Sequence, residues 1–330
     1  MNISVIGAGG WGTAFSRLLA LSDYDVTLWA RRPQAAEEID KTRENAAYLP
    51  GVKLPREHLR VTASLSEAIA ADTIVLAVPS FAMRAVMEQI AALAPEKKVY
   101  VNLAKGLDRD SHQTMSEIIA DAIDARGVFT LSGPSHAEEV GRDMPTAVVL
   151  AGRDRGLRQR LQTVFSTPRF RVYSSEDIRG VELCGTVKNT IAIATGISDG
   201  LGFGDNTRGA LITRGLAEMV RFGRAFAVNE KTFFGLAGLG DLVATCTSEH
   251  SRNRFVGSRI GQGEPVSQIM GNMKMVAEGV YATEIVHMLA IEKKVEMPIT
   301  DAVYRILYEE ASPRAMVDEI MVRPPKQEED

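Results

Sequence analysis

A short apolar run that ends in a cluster of glycines opens the chain. NISVI at positions 2–6 predicts a β-strand, and GTAFSRLLALS, from position 12, has the apolar spacing of a helix. Between them stands Gly7-Ala8-Gly9-Gly10-Trp11-Gly12, which fits the pattern G-x-G-x-x-G. In that context glycines let the backbone approach a pyrophosphate at a helix N-terminus, whereas the pattern alone also fits a tight turn. The start of the chain therefore predicts a dinucleotide site.

Predicted strands and helices alternate through the first half. DTIVLAVP and PTAVVLAG are unbroken apolar runs typical of strands buried on both faces, and helical patterns such as FAMRAVMEQIAAL follow the strands. This alternation favours a Rossmann-type, doubly wound α/β fold with a parallel sheet. After about Ser174 the strand signals disappear, and helical spacing continues in segments such as TRGALITRGLAEMVRFG. We predict a dinucleotide-binding domain at residues 1–175 and an all-α substrate-binding and catalytic domain at 176–330.

The composition is that of an ordinary globular protein. The 330 residues are 45% hydrophobic and 24% charged, with a formal net charge of −4. Because this mildly acidic balance lacks the basic stripe of nucleic-acid-binding proteins, we expect no nucleic acid as a partner. No apolar run approaches the roughly 20 residues of a membrane-spanning helix, and the strand at the very start leaves no room for a signal peptide. We therefore expect a cytoplasmic protein without membrane insertion.

Cysteines and histidines give no metal-binding pattern. Cys184 and Cys246 are far apart and fit no CxxC motif, which favours a reducing compartment over a disulfide framework or a zinc site. The five histidines are scattered, and no HExxH motif occurs. We expect no metal in the site.

The end of the second predicted strand, VTLWA, lacks the acidic residue that commonly binds the ribose hydroxyls of NAD. Arg31 and Arg32 follow it instead. Two guanidinium groups suit the 2′-phosphate of NADP, which a carboxylate would repel; two solvated surface arginines are the alternative. The sequence thus predicts NADP(H) as the preferred cofactor, with NAD(H) also possible.

Two motifs follow later predicted strands. Lys105 stands in NLAKGL, and Gly133 and Ser135 stand in SGPS. Since ligands of open α/β sheets bind beyond the carboxyl ends of the strands, both motifs are predicted to face a ligand.

A lysine also interrupts the apolar run VELCGTVKNTIAIATGISDG, residues 181–200. On a helix, Lys188 would share a face with the small residues Cys184, Gly185, Ala192 and Thr195. A partly dry slot disfavours the charged form of lysine and lowers its pKa toward the range of a general acid or base. The alternative is a lysine that reaches water across the surface.

A polar cluster lies in GLAGLGDLVATCTSEHSRNR, residues 235–254. Asp241 suits either an N-cap or the carboxylate partner of a lysine. It is followed by Thr245, Ser251, Arg252, Asn253 and Arg254. Arginine binds phosphate well because its planar fork donates two parallel hydrogen bonds. A capped helix with a solvated loop explains these residues singly but not their concentration, so we predict a phosphorylated small-molecule substrate.

These motifs, with SDGLGFGDNTR, ITRGLAEM, the EGV of VAEGV and EMPIT, make the chain resemble the NAD(P)-dependent glycerol-3-phosphate dehydrogenases of bacteria. The resemblance runs from residue 1 to about 310. It implies the reversible reduction of dihydroxyacetone phosphate to sn-glycerol 3-phosphate with NAD(P)H, which supplies glycerophospholipid synthesis. It also implies a homodimer.

The motifs and the resemblance together give the predicted site residues. Lys188, as the proton-transfer residue, Lys105 and Asp241 are the predicted catalytic residues. Predicted substrate-binding residues are Lys105, Gly133, Ser135, Lys188, Asp241, Thr245, Ser251, Arg252 and Asn253. Predicted cofactor-binding residues are Gly7, Gly9, Gly10, Trp11, Gly12, Arg31, Arg32, Tyr48, Lys105, Ala137, Arg252, Val276 and Glu278. Gly10 departs from the family, in which Ser is frequent at this position.

Two other functions stay open at this point. Dehydrogenases of the 6-phosphogluconate or β-hydroxyacid type also join a Rossmann domain to helices with a catalytic lysine, but the segment GLGDLVATCTSEHSRNR argues against them. A non-catalytic nucleotide sensor would not need the set Lys105, Lys188 and Asp241.

Overall fold

The computed structural model describes residues 1–93, 97–273, 277–325 and 327–328, and within them the first part of the chain forms an eight-stranded sheet. The strands are β1 (Ile3–Ile6), β2 (Val26–Trp29), β3 (Leu59–Thr62), β4 (Thr73–Leu76), β5 (Val99–Asn102), β6 (Gly127–Ser132), β7 (Thr146–Gly152) and β8 (Phe170–Ser175). Their order is β3-β2-β1-β4-β5-β6-β7-β8. Because the order reverses between β1 and β4, ligands are expected beyond the carboxyl ends of these strands.

Helices connect the strands and then form the rest of the described chain. Those of the first part are α1 (Gly10–Ala20), α2 (Pro33–Thr42), α3 (Leu65–Ala68), α4 (Met83–Leu93), α5 (Met115–Ala122), α6 (Ala137–Val140) and α7 (Arg155–Phe165). The later helices are α8 (Ile178–Gly200), α9 (Asp205–Ala225), α10 (Asp241–Thr247), α11 (Arg252–Gly261), α12 (Val266–Asn272), α13 (Glu278–Lys293), α14 (Pro298–Tyr308) and α15 (Pro313–Met321). No helix of the described residues is both long and apolar enough to cross a bilayer.

The predicted Rossmann-type fold is confirmed, with one departure from an all-parallel sheet. Strand β7 runs antiparallel to β6, whereas every other neighbouring pair is parallel. Between β6 and β7 the only helix of the described chain is α6, which has four residues. A parallel crossover usually needs a longer helix, so this short connection reverses the strand instead.

Apolar side chains of the strands pack on both faces of the sheet. In β4, Val75 belongs to one buried cluster, whereas its neighbours Ile74 and Leu76 belong to another. Strand β5 alternates in the same way, with Val101 in the first cluster and Tyr100 in the second. Because successive strand residues point to opposite faces, these clusters are the two layers between sheet and helices.

The contacts divide the chain into two units. The sheet unit comprises Met1–Gly185 and Val228–Asp241, and the helical unit comprises Thr186–Ala227 and Leu242–Asp330. Helix α8 therefore begins in the sheet unit and ends in the helical unit. Gly185 is its last residue in the sheet unit, and Lys188 belongs to the helical unit. The segment 228–241 belongs to the sheet unit, and so does Asp241 at its end; the predicted domain boundary at residue 175 stays a prediction.

A fully buried carboxylate organises the start of α14 in the helical unit. Glu218, on α9, accepts hydrogen bonds from the backbone N–H groups of Ile299 and Thr300 at 2.5 and 3.1 Å, and from Thr300 Oγ1 at 2.9 Å. These are first-turn groups of a helix that lacks a side-chain N-cap. Burial raises the pKa of Glu218 to about 7, while the hydrogen bonds and Arg221 oppose that rise.

We expect Glu218 to make the stability of the protein depend on pH. The unfolded carboxyl releases its proton near pH 4.5 and the folded one near 7, so between these values the unfolded state binds fewer protons. Raising the pH through this window should lower the free energy of unfolding by about 3 kcal/mol, and Glu218→Gln should lack this slope. Denaturant titrations from pH 4.5 to 8 measure it; parallel pH profiles for both proteins would contradict the prediction.

Candidate active site

The glycine turn after β1 has the shape that a dinucleotide requires. Gly7 has φ +119°, and a Cβ there would lie 2.7 Å from the carbonyl oxygen of Ala77 after β4. A Cβ on Gly12 would overlap the carbonyl oxygen of Gly7, so this glycine lets α1 approach β1 closely. Gly9, the N-cap of α1, has no atom within 4 Å of its would-be Cβ and no side-chain cap. Free N–H groups with open space before them fit a pyrophosphate.

The loop 45–49 lies against this turn. A Cβ on Gly10 would be 2.9 Å from the carbonyl oxygen of Tyr48 and 3.4 Å from the Cβ of Ala137. Three predicted cofactor residues are therefore neighbours, and the close Tyr48 carbonyl leaves little room for the Ser frequent in the family. Asn45 holds the loop, since its Nδ2 donates to the carbonyl oxygen of Ala8 at 2.9 Å and to Thr13 Oγ1 at 2.8 Å. Asn45 was not among the predicted residues, because only this tertiary contact reveals it.

Three other predicted cofactor residues, Arg31, Arg32 and Trp11, differ in how exposed their side chains are. Arg31 and Arg32 are exposed directly after β2, and Arg32 is the N-cap of α2. Trp11 is half-buried, with its ring centroid 5.6 Å from that of Phe15 and 6.2 Å from that of Phe170. The indole therefore packs against the core cluster of the sheet unit.

Lys105 is fixed beyond β5 by two oxygen atoms. Its Nζ donates to Asp241 Oδ2 at 2.7 Å and to the carbonyl oxygen of Gly133 at 3.0 Å. The side chain of Lys105 is 21% exposed and that of Asp241 only 4%. The sequence left Asp241 as an N-cap or a lysine partner, and here it is the lysine partner. The pair joins residues that are 136 positions apart.

The neighbours of Lys105 are held in unusual backbone conformations. Gly133 has φ +136°, and a Cβ there would lie 3.0 Å from Val148 Cα. Ser135 Oγ donates to the carbonyl oxygen of Gly133 at 2.9 Å, so this carbonyl receives both the hydroxyl and the ammonium. Asp241 follows a π-helical turn, Leu236–Gly240. Such turns are frequent at functional sites.

The segment that carries Asp241 is anchored to the sheet unit near its start. Asp177 Oδ2 accepts from the backbone N–H of Asn229 at 3.2 Å and from Thr232 Oγ1 at 2.6 Å. A Cβ on Gly238 would overlap the carbonyl oxygen of Phe233, which explains the glycine in the π-helical turn. Asp241 thus sits on a segment whose backbone is fixed before it reaches Lys105.

Lys188 lies on α8, as the helical interpretation of its segment predicted. The residue is 4% exposed, and its Nζ donates to Thr245 Oγ1 at 2.6 Å. Thr245 itself is 4% exposed and belongs to α10. Cys184 lies one turn earlier, and burial, together with Asp177 and Asp241, raises the pKa of its thiol well above the ordinary value. The raised pKa favours the protonated thiol, the less nucleophilic form of cysteine.

Glycines bring α8 and α11 into backbone contact within the helical unit. A Cβ on Gly196 would overlap the carbonyl oxygen of Arg254, and one on Gly257 would overlap that of Ile193. Gly200 and Gly261 make the same kind of contact one turn later. Because backbones can approach this closely only without side chains, the glycines fix the start of α11 relative to α8.

The start of α11 carries three predicted substrate residues. Ser251 is its N-cap and accepts from the backbone N–H of Arg254 at 3.2 Å, whereas Arg252 is exposed. Asn253 Nδ2 donates to Asn189 Oδ1 at 2.9 Å, and Asn253 Oδ1 accepts from the N–H of Gly279 at 2.9 Å. Asn253 thus links α8, α11 and α13. Asn189 was missed, although it directly follows Lys188 in the motif GTVKN.

Two predicted cofactor residues, Val276 and Glu278, lie at or just before the start of α13 in the sequence. Glu278 is the first residue of α13 and half-buried, whereas Val276 lies outside the described residues. No group of three or more His, Cys, Asp or Glu that could hold a metal ion occurs in the part of the chain that the structure describes. A cavity of about 450 Å³ in the helical unit is lined by α8, α9, α14 and α15 and by none of the predicted site residues.

We expect the contact between α8 and α11 to tolerate no side chain. Gly257→Ala should lower the free energy of unfolding by about 1–3 kcal/mol, because its methyl group overlaps a backbone carbonyl. Gly209→Ala is the matched control: this exposed glycine of α9 has open space around it, and alanine there should stabilise the helix by about 0.5–1 kcal/mol. Denaturant titration measures both; equal effects of the two changes would contradict the packing argument.

Known proteins resemble this chain over its whole length. Family models described as NAD-dependent glycerol-3-phosphate dehydrogenase match at residues 2–157 (N-terminus) and 177–318 (C-terminus). The chain is 49% identical to the glycerol-3-phosphate dehydrogenase [NAD(P)+] of Chlorobium limicola, covering 99% of each chain. It is 50% identical to that of Geobacter metallireducens, covering 99% of this chain and 98% of the other.

A solved structure also has the same fold as this chain. The crystal structure of glycerol-3-phosphate dehydrogenase from Coxiella burnetii superposes with a TM-score of 0.94 at 40% identity, covering 98% of this chain and 99% of the other. The predicted resemblance is confirmed by these matches. Since the two family models together cover most of the chain, this protein belongs to the NAD-dependent glycerol-3-phosphate dehydrogenase family.

Proposed function

We propose that this chain reduces dihydroxyacetone phosphate to sn-glycerol 3-phosphate, reversibly, with NAD(P)H. The observation that carries the proposal is the ion pair of Lys105 and Asp241, at 2.7 Å, beyond the carboxyl end of β5. Ligands of doubly wound sheets bind at that edge. The full-length relatives named as glycerol-3-phosphate dehydrogenases [NAD(P)+] support the same reaction.

The cofactor belongs at the glycine turn. When bound, the nicotinamide cofactor supplies the hydride for the carbonyl carbon. The open space at Gly9 and the uncapped start of α1 suit the pyrophosphate, while Gly10, Tyr48 and Ala137 line the same turn. Arg31 and Arg32 are exposed after β2, where they suit the 2′-phosphate of NADP, so we propose NADPH as the preferred cofactor and NADH as the second.

Lys105 and Lys188 have different proposed roles in this reaction. Negative charge develops on the carbonyl oxygen as the ketone is reduced, and Lys105 would stabilise it with an ammonium held in place by Asp241. Lys188 would donate the proton to that oxygen, because its buried position and its contact with Thr245 fix its Nζ. That both ammonium groups act on one carbonyl stays a prediction.

The start of α11 suits the phosphate of the substrate. Arg252 is exposed at the first helical position, next to the N-cap Ser251. Helix N-termini attract anions, and a guanidinium adds charge and two parallel donors. Asn253, through Asn189 and Gly279, holds this helix start in register. We propose that this segment binds the phosphate and so aligns the ketone.

The product of the proposed reaction indicates the biosynthetic role of the protein. sn-Glycerol 3-phosphate is the backbone precursor of glycerophospholipids, so we propose that the protein supplies their synthesis in the cytoplasm. By its family resemblance it acts as a homodimer on a small phosphorylated substrate.

We expect two neighbouring glycines to separate cofactor binding from folding. Gly9→Ala places a methyl group in the open space before α1, so the Kd for NADPH should rise about tenfold or more while the melting temperature stays unchanged. Gly12→Ala is the control, because its methyl group overlaps the Gly7 carbonyl and should lower the melting temperature. Fluorescence titration and thermal melts measure both effects; an unchanged Kd for Gly9→Ala would remove that turn from the cofactor site.

The activity itself is measured as loss of NADPH or NADH absorbance with dihydroxyacetone phosphate. We expect turnover with both, a higher kcat/KM with NADPH, and almost none for Lys188→Ala, whose Kd for NADPH should be unchanged. Losing a general acid costs about 10²–10⁴-fold in rate.

The matched control is Lys97→Ala, which removes an exposed lysine paired with Asp124 at 2.6 Å and should keep full activity. Turnover of 3-hydroxy acids in place of the phosphorylated ketone would favour the β-hydroxyacid alternative. Cofactor binding without any turnover would favour the sensor. Near-normal turnover by Lys188→Ala would remove that lysine from the chemistry.

A further inference from the structure

The side chain of Asn102 hydrogen-bonds to the turn that precedes Lys105. Asn102 ends β5, and its Oδ1 accepts from the backbone N–H of Ala104 at 2.8 Å, while its Nδ2 donates to the carbonyl oxygen of the same residue at 3.1 Å. The amide therefore closes the turn immediately before Lys105. Any change in its orientation would move the backbone of Lys105.

Glu182 faces this amide from the first turns of α8. Its Oε1 accepts from Asn102 Nδ2 at 2.9 Å, from the backbone N–H of Ser116 at 3.0 Å and from Thr130 Oγ1 at 2.9 Å. Its Oε2 accepts from Ser116 Oγ at 2.5 Å. Glu182 is 4% exposed, and burial raises the pKa of its carboxyl. All these partners donate, so the pocket is arranged for an acceptor and compensates a buried carboxylate.

The carboxylate decides which way the Asn102 amide points. An ionised carboxylate only accepts hydrogen bonds, whereas an amide donates at one end and accepts at the other. Glu182 therefore draws Nδ2 toward itself and leaves Oδ1 for the Ala104 N–H. The opposite orientation would place two acceptors together and leave that N–H without its partner.

The same helix also touches the stem of Lys105. A Cβ on Gly185, one turn after Glu182, would lie 3.3 Å from Lys105 Cγ and 3.4 Å from Ser132 Oγ. The glycine thus gives the lysine stem its path to Asp241. Two positions of α8, Glu182 and Gly185, consequently bear on the placement of this one ammonium group.

We propose that Glu182 is a positioning residue for Lys105: by orienting the Asn102 amide, it fixes the turn that presents the ammonium group to Asp241 and the substrate. The proposal rests on the proposed role of Lys105 in the reaction. Glu182 Oε1 accepts from the Asn102 amide, and it is through this amide and the turn that Glu182 would act on Lys105.

The first test compares Glu182→Leu with Glu182→Gln. Leucine removes the acceptor, so kcat should fall about 10- to 100-fold while the Kd for NADPH stays within about twofold. Glutamine keeps a carbonyl oxygen for the Asn102, Ser116 and Thr130 donors, and Ser116 Oγ can rotate to accept from its amide, so kcat should stay within a few-fold. Glu218→Leu is the matched control, since it removes the equally buried carboxylate at α14 and should lower the melting temperature but not kcat.

A double-mutant cycle asks whether Glu182 acts through Asn102. In the Asn102→Ala background, Glu182→Leu should cause no further loss of kcat, because the coupled group is already absent. Asn102→Asp keeps the shape of the side chain but sets one carboxylate against another, so its kcat should fall too. This variant carries the test if Glu182→Leu does not fold. Additive losses in the cycle, or full kcat in both Asn102→Asp and Glu182→Leu, would overturn the proposal.

A readout that does not need turnover separates this inference from the proposed function. A brief pulse of acetic anhydride, analysed by mass spectrometry, reports how well the Lys105 amine is held. Its labelling should be several-fold faster in Glu182→Leu than in Glu182→Gln or Glu218→Leu, and equal labelling would overturn the positioning role. Full activity of Lys105→Ala would instead remove Lys105 from the proposed reaction, whatever the labelling shows.

Discussion

A carboxylate removed from water must find a cation or a set of donors, and the sheet unit is built around that need at Asp241. Its side chain is 4% exposed and pairs with Lys105 at 2.7 Å. An unpaired charge in that position would cost several kcal/mol. The segment 228–241 therefore belongs to the sheet unit although its sequence lies among the helices, and Asp177 anchors it through Asn229 and Thr232. The pairing holds the end of this segment beside Lys105 within the sheet unit.

Close backbone approach is the second constraint, and it recurs at each part of the candidate site. Gly12 lets α1 meet the turn after β1, and Gly257 lets α11 meet α8. Neither glycine is required by its own backbone conformation. Each is required by the neighbour, since a methyl group would overlap a carbonyl oxygen. The starts of α1 and α11 are thereby held by close packing against their neighbours.

Local patterns made much of this structure predictable. Apolar runs and glycines gave the alternating strands and helices, and the motifs around Lys105 and Lys188 indicated where chemistry belongs. The antiparallel β7 and the return of residues 228–241 depend on connection length and on pairing across 136 positions, which no local pattern encodes. Asn45 was missed for the same reason: a lone asparagine between charged and small residues has no signal until its contact with Ala8 is known.

The two fully buried glutamates show how one physical solution serves different ends. Glu182 and Glu218 both accept from first-turn N–H groups of a helix, Ser116 of α5 in one unit and Ile299 and Thr300 of α14 in the other. Partial positive charge at helix starts makes each burial tolerable. Their difference lies in the remaining partners. In the described contacts, the hydrogen bonds that Glu218 accepts all come from α14. Glu182 also accepts a hydrogen bond from Asn102, the side chain that closes the turn before Lys105. A buried carboxylate becomes relevant to the reaction when one of its donors is shared with the loop that carries a reacting group.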